Sequence, residues 1–239
     1  MIIAVIQART DSVRLPQKAI LKIGNNTLIG CVIDRVKKAK NIDQIILATS
    51  KSKKDKCLLK IAKEKKIIGF RGSKNNLLNR FYYAVKKFEP SGILRITGDC
   101  PLISPKILDQ LIKLFKDSKA DYASTSKNYA HGLDAEIFKY ELLKRTKEKA
   151  ASAEDKEHLT QLMLKNKKVK KVQLKKRRNE GSYRITVDTH EDFYVVSKII
   201  NYLKKKKKNY EFPDIKFFLD KNIEIMNRNR SIKSKRGKI

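Results

Sequence analysis

The sequence predicts an α/β fold with a mostly parallel sheet and helices on both faces. Three observations lead to this prediction. Short, continuous apolar runs recur along the first half of the chain, as in strands that are buried on both faces. Segments with helical apolar spacing separate these runs, which is typical of repeated strand–helix–strand units. The chain has 239 residues, of which 41% are hydrophobic, so it can bury one sizeable core.

The elements of the first half follow this pattern in order. The first apolar run covers residues 2–6, and a polar loop over residues 7–18 follows it. Ser104 and Pro105 are typical of a helix cap and of the first residue of a helix, so a helix begins there. Further strands are predicted over residues 45–48, 66–70, 92–96 and 120–124, and helices over residues 28–39, 55–65, 75–88 and 104–116.

The second half of the chain is less regular. Its pattern predicts strands over residues 134–138, 169–174 and 183–186, and helices over residues 141–149, 156–165 and 191–203. The strands over 169–174 and 183–186 are expected to form a small antiparallel insertion. We expect one domain over residues 1–226 and a basic, flexible tail over residues 227–239.

The formal net charge of +32 has two interpretations. It arises from 57 Lys and Arg against 25 Asp and Glu, and lysine is spread along the whole chain. A lysine-rich surface that follows from AT-rich codons and a nucleic-acid-binding surface both explain the excess. The sequence disfavours nucleic-acid binding because it shows no helix-turn-helix signature, no zinc finger and no basic strand rich in aromatic residues.

The cysteine pattern and the lack of long apolar runs limit the class of protein further. Cys31, Cys57 and Cys100 are widely spaced and odd in number, so they form no disulfide framework. No apolar run approaches the ~18 residues that a membrane helix needs. The first residues lack the basic start and long apolar stretch of a signal peptide. We therefore expect a cytoplasmic protein without a membrane span.

The loop after the first strand carries three cations. Arg9, Arg14 and Lys18 lie within the segment Gln7–Lys18, directly after a buried strand. Arginine binds phosphate through paired donors and lysine acts as a mobile point charge, so the loop suits a polyphosphate. It is not a Walker loop and not a dinucleotide fingerprint, because GxxxxGK[ST] and GxGxxG are both absent. An ordinary surface loop is the alternative.

Two carboxylates follow later strands. Asp99 comes after Gly98 at the end of the fourth predicted strand, and Asp188 follows the run Tyr183–Thr186. Ligands of open α/β sheets bind beyond the carboxyl ends of the strands. The two carboxylates are therefore candidates to share Mg²⁺ against substrate phosphates, with plain helix-start residues as the alternative. His190, beside them, is interpreted as a surface residue.

These stretches resemble one known family. The opening IQARTDSVRLPQK is similar to the IxARxxSxRLPxK motif of sugar cytidylyltransferases, most of all the spore-coat polysaccharide biosynthesis type (protein F type). This group is related to the 3-deoxy-manno-octulosonate and acylneuraminate cytidylyltransferases. Further matching stretches, in the same order, are FRGS at 70–73 with Arg80, RITGDCPL at 95–102, HGLDAE at 131–136, EHLT at 157–160 and VDTHED at 187–192. The resemblance covers roughly residues 2–205.

The resemblance implies a Rossmann-like fold of the nucleotide-diphospho-sugar transferase type and a role for each matching residue. Implied nucleotide-binding residues are Ala8, Arg9, Ser12, Arg14, Lys18, Arg71, Ser73, Arg80, Thr97 and Gly98. Arg9, Arg14, Lys18 and Asp99 are the implied catalytic residues. Asp99 and Asp188 are implied to hold Mg²⁺, and Asp134, Glu136 and His158 to face the acceptor.

The sequence departs from the family pattern at three places. Gln17 stands where glycine is usual, which predicts a stiffer loop. Asn76 stands where aspartate is common, which weakens the assignment of the base side, and His190 replaces a usual proline. None of these changes removes an acidic residue of the metal pair or a loop cation, so we expect an active enzyme rather than a regulatory homologue.

The implied function is transfer of CMP from CTP to a sugar, an acidic one by family analogy, with release of pyrophosphate, for cell-surface polysaccharide synthesis. Mg²⁺ is the implied cofactor. A homodimer is also implied, with residues 130–180 as the acceptor and dimerisation region. A nucleotidyltransferase or glycosyltransferase of the same fold, with another nucleotide or a non-sugar acceptor, is the nearest alternative.

Overall fold

One large mixed sheet organises the chain. The computed structural model describes residues 1–208 and 210–232. Its strands are β1 (Ile2–Gln7), β2 (Lys22–Ile23), β3 (Asn26–Thr27), β4 (Gln44–Ser50), β5 (Ile68–Gly72), β6 (Gly92–Thr97), β7 (Tyr122–Thr125), β8 (Glu136–Phe138) and β9 (Lys171–Leu174). Seven of them form the sheet in the order β5-β4-β1-β6-β8-β7-β9, and β2 and β3 form a separate hairpin.

Helices lie between the strands and after them. Their bounds are α1 (Leu28–Val36), α2 (Lys56–Glu64), α3 (Leu77–Val85), α4 (Pro105–Asp117), α5 (Tyr140–Lys149), α6 (Ala153–Glu157), α7 (Gln161–Lys165), α8 (His190–Lys205), α9 (Phe212–Lys221) and α10 (Ile223–Asn227). Ser104 caps α4 through its hydroxyl, and Pro105 opens that helix, as its sequence predicts. Among the described residues, no helix is both long enough and apolar enough to cross a membrane.

The central strand β1 divides the core between the two faces of the sheet. Ile2, Ala4 and Ile6 pack with α1, α2 and α4 on one face. Ile3 and Val5 pack with α3 and α5 on the other. Strands β5, β4, β1 and β6 are mutually parallel, which accounts for their continuous apolar sequences. The predicted α/β architecture is confirmed.

The antiparallel part lies elsewhere than predicted. Strand β8 runs antiparallel to β6 and β7 inside the main sheet, and the small separate antiparallel unit is the β2–β3 hairpin. Strand β9 pairs parallel with β7. Residues 183–186 form no strand: they make a single bridge between His131 and Arg184, after which Val187 donates to the carbonyl of Asp99. The segment pairs with the chain at His131 through one bridge only, because its backbone then turns toward Asp99 in the loop after β6.

Two other predicted elements also differ. The helix expected over residues 156–165 is divided into α6 and α7, because Ser152 and Asp155 form a capping box that starts a helix earlier, and His158 ends it. The chain also stays packed beyond residue 227. Asn229 is buried and donates to the carbonyl of Arg184 and to the carboxylate of Asp192. The prediction of a flexible tail that starts at residue 227 is therefore wrong for the first residues of that tail. Residues 233–239 of that predicted tail lie outside the described residues.

A buried arginine joins the sheet domain to the last helices. Arg35 in α1 donates from Nε to the carbonyl of Ile103 (2.9 Å) and from an Nη to Glu211 (3.0 Å), just before α9. Ser104 donates to the other carboxylate oxygen of Glu211 at 2.6 Å. We expect Arg35→Ala to lower the free energy of unfolding by about 3 kcal/mol, since it leaves a carboxylate without its partner.

Urea denaturation checks this prediction. The matched control is Lys65→Ala, which removes the partner of Asp34 from a more exposed ion pair. That change is expected to cost less than about 1 kcal/mol. Equal losses for the two variants would contradict the role assigned to Arg35.

Candidate active site

A cavity of about 1390 Å³ opens at the carboxyl ends of β1 and β6. The parallel strands all end at this edge of the sheet, so the loops that follow them meet there. Thirteen of the fifteen residues that the sequence singles out line the cavity: Ala8, Arg9, Ser12, Arg14, Lys18, Arg80, Thr97, Gly98, Asp99, Asp134, Glu136, His158 and Asp188. The fold therefore gathers segments that are far apart in the chain.

A buried carboxylate holds the loop after β1. Asp55 accepts hydrogen bonds from the backbone N–H of Thr10 (2.8 Å), from its hydroxyl (2.7 Å) and from the hydroxyl of Ser50 (2.5 Å). Burial opposes the charged form of Asp55, but these donors outweigh it and keep its pKa below the usual range. The loop that carries Arg9 and Arg14 is thus fixed at its middle.

Gln17 closes the same loop in a strained backbone conformation. Its N–H donates to the carbonyl of Thr10 at 2.9 Å, and its φ is 56°. Only glycine adopts this left-handed region without a cost, which is about 1 kcal/mol for other residues. The departure from the usual glycine therefore does not alter the closed loop, but it adds strain to it.

Lys18 lies between the two carboxylates of the predicted metal pair. Its Nζ donates to Asp99 Oδ2 (3.1 Å), to Asp188 Oδ1 (2.9 Å) and to the carbonyl of Val187 (2.8 Å). An ammonium has three donors, and all three are used here. The last residue of the β1 loop is thereby joined to the ends of two other segments of the chain.

The charges around Asp188 keep it ionised. Burial opposes its charged form, but Lys18, Arg14 and Arg184 together outweigh burial and lower the pKa of this carboxyl. Burial likewise disfavours the charged form of Lys18, yet Asp99 and Asp188 raise its pKa. Both groups are therefore charged at neutral pH.

The donor chemistry of this pair suits Mg²⁺. Asp99 and Asp188 both present a carboxylate oxygen to one point, which the Lys18 ammonium now occupies. Within the described residues, no group of three or more His, Cys, Asp or Glu side chains is arranged to hold a metal ion. Two carboxylates completed by water and substrate phosphates are a usual environment for Mg²⁺, which rarely has an all-protein cage.

Gly98 allows the loop after β6 to lie against β1. A Cβ at this position would lie 2.8 Å from the carbonyl oxygen of Gln7 and 2.9 Å from the Cβ of Ala8. The N–H of Gly98 donates to that same carbonyl at 2.9 Å. A side chain here would push the Asp99 loop away from the loop after β1.

The β5 side of the cavity is organised by a buried arginine. Arg80 donates to the carbonyls of Ser73 (2.9 Å) and Lys74 (3.0 Å), and Arg9 donates to the same Lys74 carbonyl. Burial, together with the positive charge of Arg9, lowers the pKa of Arg80 to about 10. Asp11 pairs with both Arg9 and Lys74, which ties the two loops together.

Arg71 and Ser73 do not line the cavity, contrary to the expected place of both side chains near the nucleotide. Arg71 donates instead to the carbonyl of Ser50, the last residue of β4, and to that of Ser52, which follows the strand. The hydroxyl of Ser73 accepts from the N–H of Asn76, which caps α3. Ser73 therefore supports the start of α3, Arg71 supports the chain at the end of β4, and neither residue lines the cavity.

The β8–β7–β9 side of the cavity has a buried carboxylate at its floor. Glu136 accepts from the hydroxyl of Tyr122 (2.5 Å), from that of Thr160 (3.1 Å) and from Arg95. Arg95 also donates to the side chain of Gln7 at 3.0 Å. Glu136 is only 9% exposed, so it holds Arg95 in place and offers little surface to a second substrate.

Comparisons with known proteins identify the family of the chain. The family model described as cytidylyltransferase matches residues 3–217. The chain belongs to the cytidylyltransferase family. Its sequence is 36% identical to an uncharacterised protein of Methanocaldococcus jannaschii, over 98% of this chain and 96% of that one. It is 30% identical to the spore coat polysaccharide biosynthesis protein SpsF of Bacillus subtilis, over 95% of each chain.

Solved cytidylyltransferase structures have the same fold. A cytidylyltransferase from Leptospira borgpetersenii superposes with a TM-score of 0.89 at 32% identity, over 98% of this chain and 99% of that one. A CMP:2-keto-3-deoxy-manno-octonic acid synthetase, solved in complex with CTP, superposes with a TM-score of 0.63 at 17% identity, over 84% of this chain and 98% of that one. The second likeness shows the fold alone.

Sequence reasoning missed several residues of this cytidylyltransferase that shape the site. They are Gln7, Asp55, Arg95, Tyr122, Arg184 and Asp192. Asp55 and Asp192 stand at helix starts, where a capping role hides any other. Arg95 is the first residue of the RITGDCPL motif. The sequence signal for its role in the site was a charged residue within a predicted strand.

Proposed function

We propose that this protein transfers CMP from CTP to a sugar and releases pyrophosphate. The observation that carries the proposal is the placement of Lys18 between Asp99 and Asp188, with Arg14 3.0 Å from the same Asp188 oxygen, at the edge of the parallel sheet. A cationic loop and a carboxylate pair in one cavity provide the positioning and charge balance that nucleotidyl transfer requires. The family membership supports the same reaction class.

The loop cations have the role of binding the triphosphate. Arg9 and Arg14 are about a third exposed, so their guanidinium groups are accessible from the cavity. Lys18 lies deeper, where its ammonium reaches the carboxylates. When the bond between the α- and β-phosphates breaks, these three charges stabilise the negative charge that develops on pyrophosphate.

Asp99 and Asp188 are the residues that would hold Mg²⁺. The ion would supply positive charge to the phosphate oxygens and so favour attack at the α-phosphorus. The attacking group is a hydroxyl oxygen of the sugar, whose proton is released to water as pyrophosphate leaves with the bond electrons. Cys100 has no part as a nucleophile, since burial, with the Asp99 charge adding to it, raises the pKa of its thiol well above the usual value.

The acceptor is placed on the β8–β7–β9 side of the cavity. Lys127, Lys165 and Lys171 line the cavity together with Arg95. Asp134, Glu136, Glu154 and Glu157 line the same side, so this surface is of mixed charge and the acidic acceptor is proposed from the family relatives. Among the matched relatives, 3-deoxy-manno-octulosonate cytidylyltransferases are named for an acidic sugar, and one of them is 32% identical over 51% of this chain.

Pyrophosphate release tests the proposal. The purified protein is incubated with Mg²⁺, with each of the four ribonucleoside triphosphates in turn, and with a panel of nonulosonic and octulosonic acids. Release is expected only with CTP and only when one of the acids is present. Chelation of the metal with EDTA is expected to abolish it.

The alternatives give different results in the same experiment. Release of pyrophosphate with another nucleotide would show that CTP is not the substrate, and the protein would remain a nucleotidyltransferase. Thermal stabilisation by CTP without release would retain the nucleotide site and move the search to other acceptors. No binding of any nucleotide, together with tight and strongly salt-dependent binding of DNA or RNA, would replace the enzyme by a nucleic-acid-binding protein.

A further inference from the structure

Arg184 is a buried arginine that makes four directed contacts behind the carboxylate pair. It is 7% exposed, and it does not line the cavity. It donates from Nε and Nη2 to the two oxygens of Asp192, both at 2.7 Å. The same Nη2 is 3.1 Å from Asp188 Oδ2, and Nη1 is 2.9 Å from His131 Nδ1. One rigid planar group thus connects three side chains.

Asp192 fixes the orientation of this guanidinium. It is fully buried, and it also accepts from Asn229 (2.8 Å) and from the backbone N–H groups of Asp188 (2.9 Å) and Thr189 (3.2 Å). Asp192 therefore balances the charge of Arg184 while it holds the group in place. The remaining donors of Arg184 are directed toward Asp188 and His131. Because Asp192 already pairs with the guanidinium, Arg184 adds no unpaired charge to the site.

The two oxygens of Asp188 have separate partners. Oδ2 lies against Arg184, whereas Oδ1 lies 2.9 Å from Lys18 and 3.0 Å from Arg14. Rotation of the carboxylate would break the Arg184 contact. As long as that contact holds, Oδ1 of Asp188 stays directed to the point between Asp99 and Asp188 that the Lys18 ammonium occupies.

The contact with His131 assigns the tautomer of this imidazole. An arginine only donates hydrogen bonds, so His131 Nδ1 must accept, and the ring proton is on Nε2. His131 also lines the cavity. The backbone holds it as well, because its N–H donates to Tyr183 and its carbonyl accepts from Ile185.

We propose that Arg184 is a positioning residue that fixes the metal-side carboxylate of Asp188 and the cavity-lining imidazole of His131 relative to each other. This inference rests on the proposed function, because the carboxylate pair must hold a divalent cation for the orientation of Asp188 to matter. Residues that orient a metal ligand in this way typically change metal affinity by 10- to 100-fold when they are substituted.

The test measures Mn²⁺ binding by electron paramagnetic resonance with CTP present and no acceptor. Arg184→Lys keeps the charge and loses the planar fork, so we expect its Mn²⁺ dissociation constant to rise about tenfold or more. Its affinity for CTP without metal, measured by calorimetry, is expected to change less than about threefold. Partial unfolding of the variant would weaken the binding of Mn²⁺ and of CTP alike, so it would not produce this difference between the two affinities.

Two further variants make the result decisive. Arg35→Lys changes another buried arginine that does not line the cavity, so its Mn²⁺ affinity is expected to equal that of the wild type. Asn229→Ala removes one hydrogen bond to Asp192, and we expect it to weaken Mn²⁺ binding to a smaller degree in a protein that still folds.

Each outcome has a separate meaning. Wild-type Mn²⁺ affinity in folded Arg184→Lys or, if that variant does not fold, in Asn229→Ala would overturn the role of Arg184 and leave the proposed function intact. An equal loss in Arg35→Lys would also overturn it, because the effect would then be a general loss of stability. A wild-type protein that binds neither CTP nor Mn²⁺ with CTP would overturn the proposed function, and the inference with it.

Discussion

Replacing Asp99 by asparagine is expected to lower kcat for pyrophosphate release by about 100-fold or more. The amide keeps the shape of the side chain but removes one of the two negative charges that face the Lys18 ammonium. The loss of an electrostatic group of this kind from a reaction centre costs about 3 kcal/mol of transition-state stabilisation. The measurement is the rate of CTP-dependent pyrophosphate release at saturating substrates.

The fold is expected to tolerate this change. The Asp99 side chain is 26% exposed, and Lys18 keeps its contacts with Asp188 and Val187. Asp117→Asn is a matched control, since Asp117 is 60% exposed and pairs with Lys113 one turn away on its own helix. Unchanged turnover in a folded Asp99→Asn enzyme would remove this carboxylate from the reaction.

Replacing Lys18 by methionine is expected to lower kcat/KM for CTP by about 100- to 1000-fold. The change removes a positive charge that contacts both carboxylates and that, in the proposed reaction, would bind the triphosphate. Methionine fills a similar volume without a hydrogen-bond donor. Steady-state kinetics with varied CTP measures the loss, and Lys22→Met, an exposed lysine in β2, serves as the control.

The same substitution is expected to change the pH dependence of stability. The lowered pKa of Asp188 means that its contribution to stability is fully present above an unfolded pKa of ~3.9 and is lost as pH falls through the folded value. The raised pKa of Lys18 means that its contribution is present below ~10.4 and is lost at higher pH. Lys18→Met should therefore destabilise by about 2 kcal/mol at pH 7 and by less at pH 3, which lies below the unfolded pKa of an aspartate.

Urea unfolding at the two pH values measures this difference. A loss of equal size at pH 7 and pH 3 would show that methionine disturbs packing rather than charge. A gain in stability at pH 7 would contradict the favourable balance assigned to the Lys18 contacts with the two carboxylates.

Local patterns predicted the parts of the fold that depend on neighbouring residues. The apolar run at the start of the chain became β1, and the Ser104–Pro105 pair became the start of α4. The absence of a strand at 183–186 was not predictable in this way. It depends on a partner far along the chain, as in the contact of Ile185 with His131. The division of residues 156–165 follows instead from the local capping box of Ser152 and Asp155, which the spacing of apolar residues does not show.

The residues of the site were predicted better than their contacts. The cationic loop and Asp99 were found because each follows a parallel strand, and parallel strands end at one edge of the sheet. Asp188 was found from a strand expected over 183–186, which the structure replaces by a single bridge. Arg71 was expected near the nucleotide, but its backbone partners after β4 direct it away from the cavity. Glu136 was expected to face the acceptor, and the tertiary structure makes it the buried partner of Arg95.

The sequence by itself determined the α/β class, the cationic loop and the two carboxylates, because short-range pattern and residue type encode them. It left the dimer, the cytoplasmic location and the role of the net charge as predictions. Only the tertiary structure decided that Lys18 lies between Asp99 and Asp188, and that Arg184 and Asp192 stand behind them. Such contacts depend on how the loops after β1 and β6 and the start of α8 meet in space, which no local pattern specifies.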